Sequence, residues 1–238
     1  MWRTGIVAVF LAASAAVGVL PARAQDQPKR PTIEQLLAAC DETADLQDRN
    51  LKACTELGRR YVAGDGIAMD FEAAKKFLFP GCFSGSAEMV PRACHYLGMM
   101  REQGLGYPEG DPRSEVLFRK ACEANYARSC VAIGANKRES LGAAGVYEWL
   151  DKACTISARG CYLATSVKMP TYKTRAYLEK ACEGDLAIGC ASLGALYETG
   201  KAGKGGADTA KARELYTRAC ELGEQRACTR ALDLEAGG

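Results

Sequence analysis

The chain has 238 residues, with 31 Lys and Arg against 29 Asp and Glu, a single histidine and a formal net charge of +2. That balance argues against nucleic acid or anionic lipid as the main partner, since both call for a basic excess. Twelve cysteines beside one histidine, with no C-x-x-C anywhere, point to disulfides in an oxidising compartment rather than to zinc. Neither a metal nor any other cofactor is implied.

Residues 1–24 read as a cleaved signal peptide. Arg3 supplies the positive start, residues 5–20 form an apolar run, and Ala22 and Ala24 make the A-x-A pattern of a cleavage site. The run is short for a spanning helix, which needs about 20 residues. Cleavage after Ala24 removes Arg3 and Arg23 and no acid, so the 31 basic residues fall to 29 and equal the 29 acids. The expected product is exported, periplasmic or secreted, and free of the membrane.

The rest, residues 25–238, reads as a single all-α solenoid of about five to six units. Thr32 with Gln35 makes a capping box at its start. The cysteines then come in close pairs: Cys40 with Cys54, Cys82 with Cys94, Cys122 with Cys130, Cys154 with Cys161, Cys182 with Cys190, and Cys220 with Cys228. Between pairs lie stretches of 20 to 29 residues, a recurrence of the length that marks stacked repeats. Five and four residues before a first Cys stand bulky apolar couples: Phe77-Leu78, Leu117-Phe118, Trp149-Leu150, Tyr177-Leu178 and Leu215-Tyr216. Their helical spacing makes them core rather than a ligand box. Four first cysteines also follow a basic residue and Ala, as in Lys120-Ala121 and Arg218-Ala219.

After the second Cys come Leu57-Gly58, Leu97-Gly98, Ile133-Gly134 and Leu193-Gly194. Glycine inside a helix costs about 1 kcal/mol relative to Ala, so its return at one slot predicts a close helix–helix approach. Each stretch reads as helix, turn, helix. Gly64-Asp65-Gly66 ends one helix and Asp70 caps the next. Asp111 is expected to cap a helix with Pro112 in its first position. Residues 200–206 form a Gly-rich loop that fails the phosphate-loop pattern, because no Ser or Thr follows Gly-Lys. Each Cys pair then closes a short turn between antiparallel helices, all twelve cysteines bonding to their nearest partner in sequence. Lys75-Lys76 and Glu221 with Glu224 read as solvated faces, and Tyr107-Pro-Glu-Gly as an ordinary turn.

Residues 54–70, from Cys-Thr-Glu-Leu-Gly to Gly-Asp-Gly-Ile-Ala-Met-Asp, and Cys190-Ala-Ser-Leu-Gly-Ala-Leu-Tyr resemble the Sel1-like repeat, an α/α relative of the tetratricopeptide repeat. With its paired cysteines, the chain over residues 33–235 is similar to the exported cysteine-rich Hcp-type proteins. That resemblance implies a protein-interaction scaffold with a curved helical surface, and, as the alternative, a penicillin-binding protein or slow β-lactamase. Residues 130–182 depart from the pattern: the Gly-x-Gly loop is missing and Ala164-Thr165 replaces Leu-Gly. Shorter, less regular hairpins are expected there.

No catalytic constellation emerges. No serine has a lysine three residues on, and S-D-N and K-T-G are absent. His95, beside Cys94, reads as a packing or surface residue, and paired cysteines leave no thiol nucleophile. The favoured reading is a binding scaffold for a protein or peptide, a cell-wall stem peptide among the possibilities. Seven residues after the second Cys the repeat expects Tyr, found at Tyr61 and Tyr197. The units between carry Arg101, Lys137 and Lys168 instead. Buried unpaired charge is costly, so these three either form an exposed basic stripe suited to a carboxylate or pack their long stems along the helices while their tips reach water or nearby acids.

Overall fold

A computed structural model describes residues 30–236 apart from 42, 46, 47, 85–88, 137 and 204, and of residues 138–141 the backbone alone. The expected signal peptide lies outside these residues. Among the described residues there are twelve helices and no strand: α1 (Ile33–Ala39), α2 (Leu51–Ala63), α3 (Phe71–Phe83), α4 (Pro91–Glu102), α5 (Arg113–Glu123), α6 (Ala127–Asn136), α7 (Arg138–Ile156), α8 (Ala158–Ala164), α9 (Thr171–Glu183), α10 (Ala187–Glu198), α11 (Thr209–Glu221) and α12 (Gln225–Ala236). Gly142, at φ 63°, breaks the regular backbone of α7.

The helix ends follow local chemistry. Thr32 and Gln35 form the reciprocal capping box on α1. Asn50, Asp70, Ser157 and Asp208 each accept a hydrogen bond from the N–H three residues on. Gly64 closes α2 in the left-handed conformation, φ 66°. The start of α5 is one residue later than the sequence suggested. Pro112 takes the cap position, and the Asp111 carboxylate still accepts from the Arg113 N–H at 3.0 Å.

Two kinds of contact alternate along the stack. In the first, helices joined by a loop pack through the glycine slot. A Cβ on Gly58 would lie 2.6 Å from Leu78, on Gly98 2.8 Å from Phe118, on Gly134 3.2 Å from Leu150, and on Gly194 3.2 Å from Tyr216. Each glycine is thus the notch that receives the second residue of the following apolar couple. The fourth unit has Thr165 in this slot, and α8 stops at Ala164. There the Thr165 and Ser166 hydroxyls donate to the carbonyls of Tyr162 and Leu163, taking up helix-end acceptors.

In the second kind of contact, six disulfides join α1 to α2, α3 to α4, α5 to α6, α7 to α8, α9 to α10 and α11 to α12, with Cα–Cα separations between 3.9 and 5.0 Å. Among the described residues no cysteine is free. Such short separations need a small residue beside the second Cys, and every unit has one: Ala53, Ala93, Ser129, Gly160, Gly189 and Ala227. Between first and second Cys, three staple turns carry a positive φ three residues after the first Cys, at Asn125, Asp185 and Gly223.

The interior is a series of local clusters, as stacked repeats require. One gathers Phe118, Ile133, Leu150 and Tyr177, another Leu78, Leu97, Met100 and Leu117, and a third Leu178, Leu193, Leu215 and Tyr216. Buried phenols keep a partner: Tyr177 donates to Asp151 and Tyr216 to Glu198, both at 2.8 Å.

Candidate functional site

The helices that follow each staple begin with a row of basic residues. Lys52, Arg92, Arg128, Arg159 and Arg226 stand two residues before the second Cys, in the second position of α2, α4, α6, α8 and α12; α10 has Ile188 there. None of these six helices has an acid in its first turn. A helix N-terminus carries partial positive charge, so cations in the first turn work against the helix. Helix stability therefore gives no account of the row.

Its centre is built around two tyrosines. The Tyr126 phenol, whose pKa is raised chiefly by burial, lies within electrostatic reach of Tyr96, Arg128, Arg92 and Arg159. Arg92 sits over the Tyr96 ring, 5.7 Å from its centre, and pairs with Glu56, while its Nε is buried with no hydrogen-bond partner. Arg128 and Arg159 are exposed, and neither is ion-paired among the described residues. They line one cleft of about 210 Å³ together with Asn125, Tyr126, Ile156 and Leu163. Glu56 would be raised by its own burial. Hydrogen bonds from Arg59 and Arg60 and the charge of Arg92 instead hold it down to about 2, so it is an anion that anchors the end of the row.

His95 lies beneath. It is 3% exposed, with Tyr126, Phe118 and Tyr96 rings 5.1 to 5.8 Å away, and its Nδ1 meets the Ser129 hydroxyl at 2.9 Å. Ser129 is fully buried too. A serine beside a histidine suggests nucleophilic chemistry, but both are enclosed where no substrate reaches them. Burial, with the charge of Arg128, lowers the His95 pKa to about 3.

A pH dependence follows. Below the unfolded pKa of about 6.5, the unfolded chain binds a proton on His95 that the folded chain refuses until about pH 3. Stability is therefore complete above pH 6.5 and declines as pH falls through that window. Between pH 7 and pH 5 the loss is expected to be about 2 kcal/mol, before the carboxylates titrate. Thermal melts at the two pH values check this. His95→Gln should melt lower overall but without that slope; an equal slope in the variant would assign it elsewhere.

The expected stripe is described only in part. Arg101 bonds Asp111, itself 5% exposed, at 2.5 Å and lies 4.0 Å over the Tyr107 ring. Lys75 approaches the same ring at 4.8 Å and donates to the Gly106 carbonyl. Arg101 is thus occupied in fastening the loop 103–112, and Tyr107 is a fastening point rather than a plain turn residue. Lys168 is exposed in the segment before α9, and Lys137 lies outside the described residues. The hydrogen bond from the Arg113 side chain holds the Asp111 carboxyl well below the usual carboxylate range, with burial acting upward and Arg101 adding to the lowering.

The arginine row was open to reading in the sequence, as a basic residue at a fixed place in five of six units, but the aromatic couples and glycines drew the periodicity first. The gathering of Tyr96 and Tyr126 around His95 had no such signal, because it joins different slots of neighbouring units.

These features define an α/α solenoid whose helix pairs are tied together by disulfides and whose staple-side surface presents exposed cations. The Sel1 repeat model matches residues 51–79, 91–126 and 187–224, so these three segments resemble Sel1 repeats. It is 28% identical over 123 residues to cytochrome c oxidase assembly factor 7 of Xenopus tropicalis, covering 49% of this chain and 51% of that protein. Against the human protein of the same name it is 27% identical over 112 residues, 45% and 47% of the two chains. The chain thus spans about half the length of the curated relatives it matches. A Sel1 repeat protein from Oxalobacter formigenes shares the fold, with a TM-score of 0.53, 22% identity and 75% of each chain covered.

Proposed function

We propose that this protein is an exported scaffold that holds a protein or peptide partner against its stapled helical surface, outside the reducing cytoplasm. The observation that carries the reading is the combination of six disulfides with the exposed Arg128 and Arg159, not ion-paired among the described residues, on a stack of Sel1-like repeats. Disulfides of this density belong to an oxidising compartment, and no described helix is long and apolar enough to cross a membrane. The curated relatives are named as assembly factors, which is compatible with work on other chains. The alternative implied by the Hcp-type resemblance, β-lactam binding or hydrolysis, gains no support from His95 and Ser129, which are enclosed.

The deciding experiment is cross-linking in the native source followed by mass spectrometry, with oxidised and with reduced, alkylated bait. A partner captured only by the oxidised protein supports the scaffold; a bait that captures no partner in either form overturns it. Export has its own test. The protein recovered after secretion should begin at Gln25 and carry the mass of six disulfides; a retained residue 1–24 segment would refute cleavage.

A further inference from the structure

Resting on the scaffold reading, we propose that the cleft between the first turns of α6 and α8 is a subsite for an acidic peptide, with Arg128 and Arg159 gripping a carboxylate side chain and Ile156 and Leu163 receiving an apolar neighbour. Several observations converge on it. Arg128 and Arg159 come from successive units yet line the same cleft. Both are exposed, and neither is ion-paired among the described residues. By contrast, Arg59, Arg60, Arg92, Arg101 and Arg113 all hold carboxylates of this chain.

Their location sharpens the point. A cation in the first turn of α6 opposes the helix dipole, so Arg128 is kept at some expense to local stability. Guanidinium is also the side chain best fitted to grip a carboxylate with two parallel hydrogen bonds. The surrounding groups complete a recognition surface. Asn125 and Tyr126 add polar atoms, and the half-buried Ile156 and Leu163 add an apolar wall. About 210 Å³ is room on the scale of one side chain, not of a folded domain, so the occupant is an extended segment. Arg92, in the unit before Arg128, is by contrast already paired with Glu56, so the grip on an incoming carboxylate falls to Arg128 and Arg159. A peptide with acidic residues beside an apolar one meets each of these elements.

A polyphosphate or nucleic acid fits less well. The chain as a whole is close to neutral, and the cleft offers an apolar wall that a phosphate backbone has no use for.

The test uses the full oxidised protein and a fluorescein-labelled peptide of four glutamates around one leucine, followed by anisotropy at low salt. Binding is expected, with at least a tenfold loss in the Arg128→Gln/Arg159→Gln double variant. Lys211→Gln, on the distant α11, should leave it unchanged. Circular dichroism confirms that each variant is folded. The peptide with glutamine in place of glutamate, or with leucine replaced by serine, should also bind at least several-fold more weakly. Equal binding by wild type and the double variant overturns the subsite. Tripolyphosphate binding more tightly than the peptide, and displacing it, overturns the peptide assignment in favour of a general polyanion site. The two levels fail separately. A cross-linked partner that binds the double variant as tightly as wild type removes the subsite and leaves the scaffold standing, whereas the absence of any captured partner removes the scaffold.

Discussion

Replacing Gly160 by alanine is expected to destabilise the protein by about 3 kcal/mol or more, the largest effect of any single methyl group in the stack. A Cβ at this position would fall 1.8 Å from the Ala153 carbonyl oxygen and 2.7 Å from its carbon. Both are backbone atoms, so no rotamer change relieves the overlap. The disulfide between Cys154 and Cys161 holds the two chain segments with Cα atoms 3.9 Å apart, which blocks separation of α7 from α8. The measurement is chemical denaturation of the oxidised variant. Gly205→Ala is the comparison, because a Cβ there meets nothing within 4 Å, and it should be close to neutral. A Gly160→Ala protein as stable as that control would show that α7 and α8 do not pack this closely.

Full reduction is expected to unfold the chain altogether. Each staple closes a loop with a sequence separation of 7 to 14 residues, and the chain-entropy model gives about 2–3 kcal/mol for each. Six such contributions match or exceed the roughly 5–15 kcal/mol by which folded proteins are stable. Reduced and alkylated protein should therefore lose its cooperative melt and most of its helical circular dichroism. Removing one staple, with Cys122→Ser and Cys130→Ser together, should cost only about 2–3 kcal/mol and leave the other units helical. Reduced protein that still melted cooperatively would place the stability in packing alone.

Much of this architecture is legible in the chain because its determinants are local. A glycine at a fixed distance from a cysteine, and an apolar couple at a fixed distance before the next, describe a notch and the residue that fills it, as at Gly98 and Phe118. Thr32 with Gln35 and Asp70 settle helix starts within three residues. What escaped were relations between slots that differ in kind. The expectation for Arg101 treated it as the equal of Lys137 and Lys168, whereas its charge is consumed by Asp111 and Tyr107, two residues of an irregular loop peculiar to that unit. The small residue before each second Cys was visible, yet its meaning depends on the backbone distance at the staple, which spacing does not reveal. The Arg128–Arg159 cleft likewise depends on how two first turns face each other.

The disposition of the staples has a consequence for how such a chain can change length. The Sel1 matches place a repeat in α2 with α3, in α4 with α5 and in α10 with α11, and no disulfide lies within any of these helix pairs. Each bond instead runs from the last helix of one pair to the first helix of the next. A module therefore contributes one sulfur forwards and one backwards, with α1 and α12 supplying the single cysteines at the two ends. Duplicating or deleting a whole module by recombination leaves every thiol with a mate, whatever the final number. The covalent framework is thus neutral to array length, and helical surfaces of different reach can arise from one chain design without a stranded cysteine at any step.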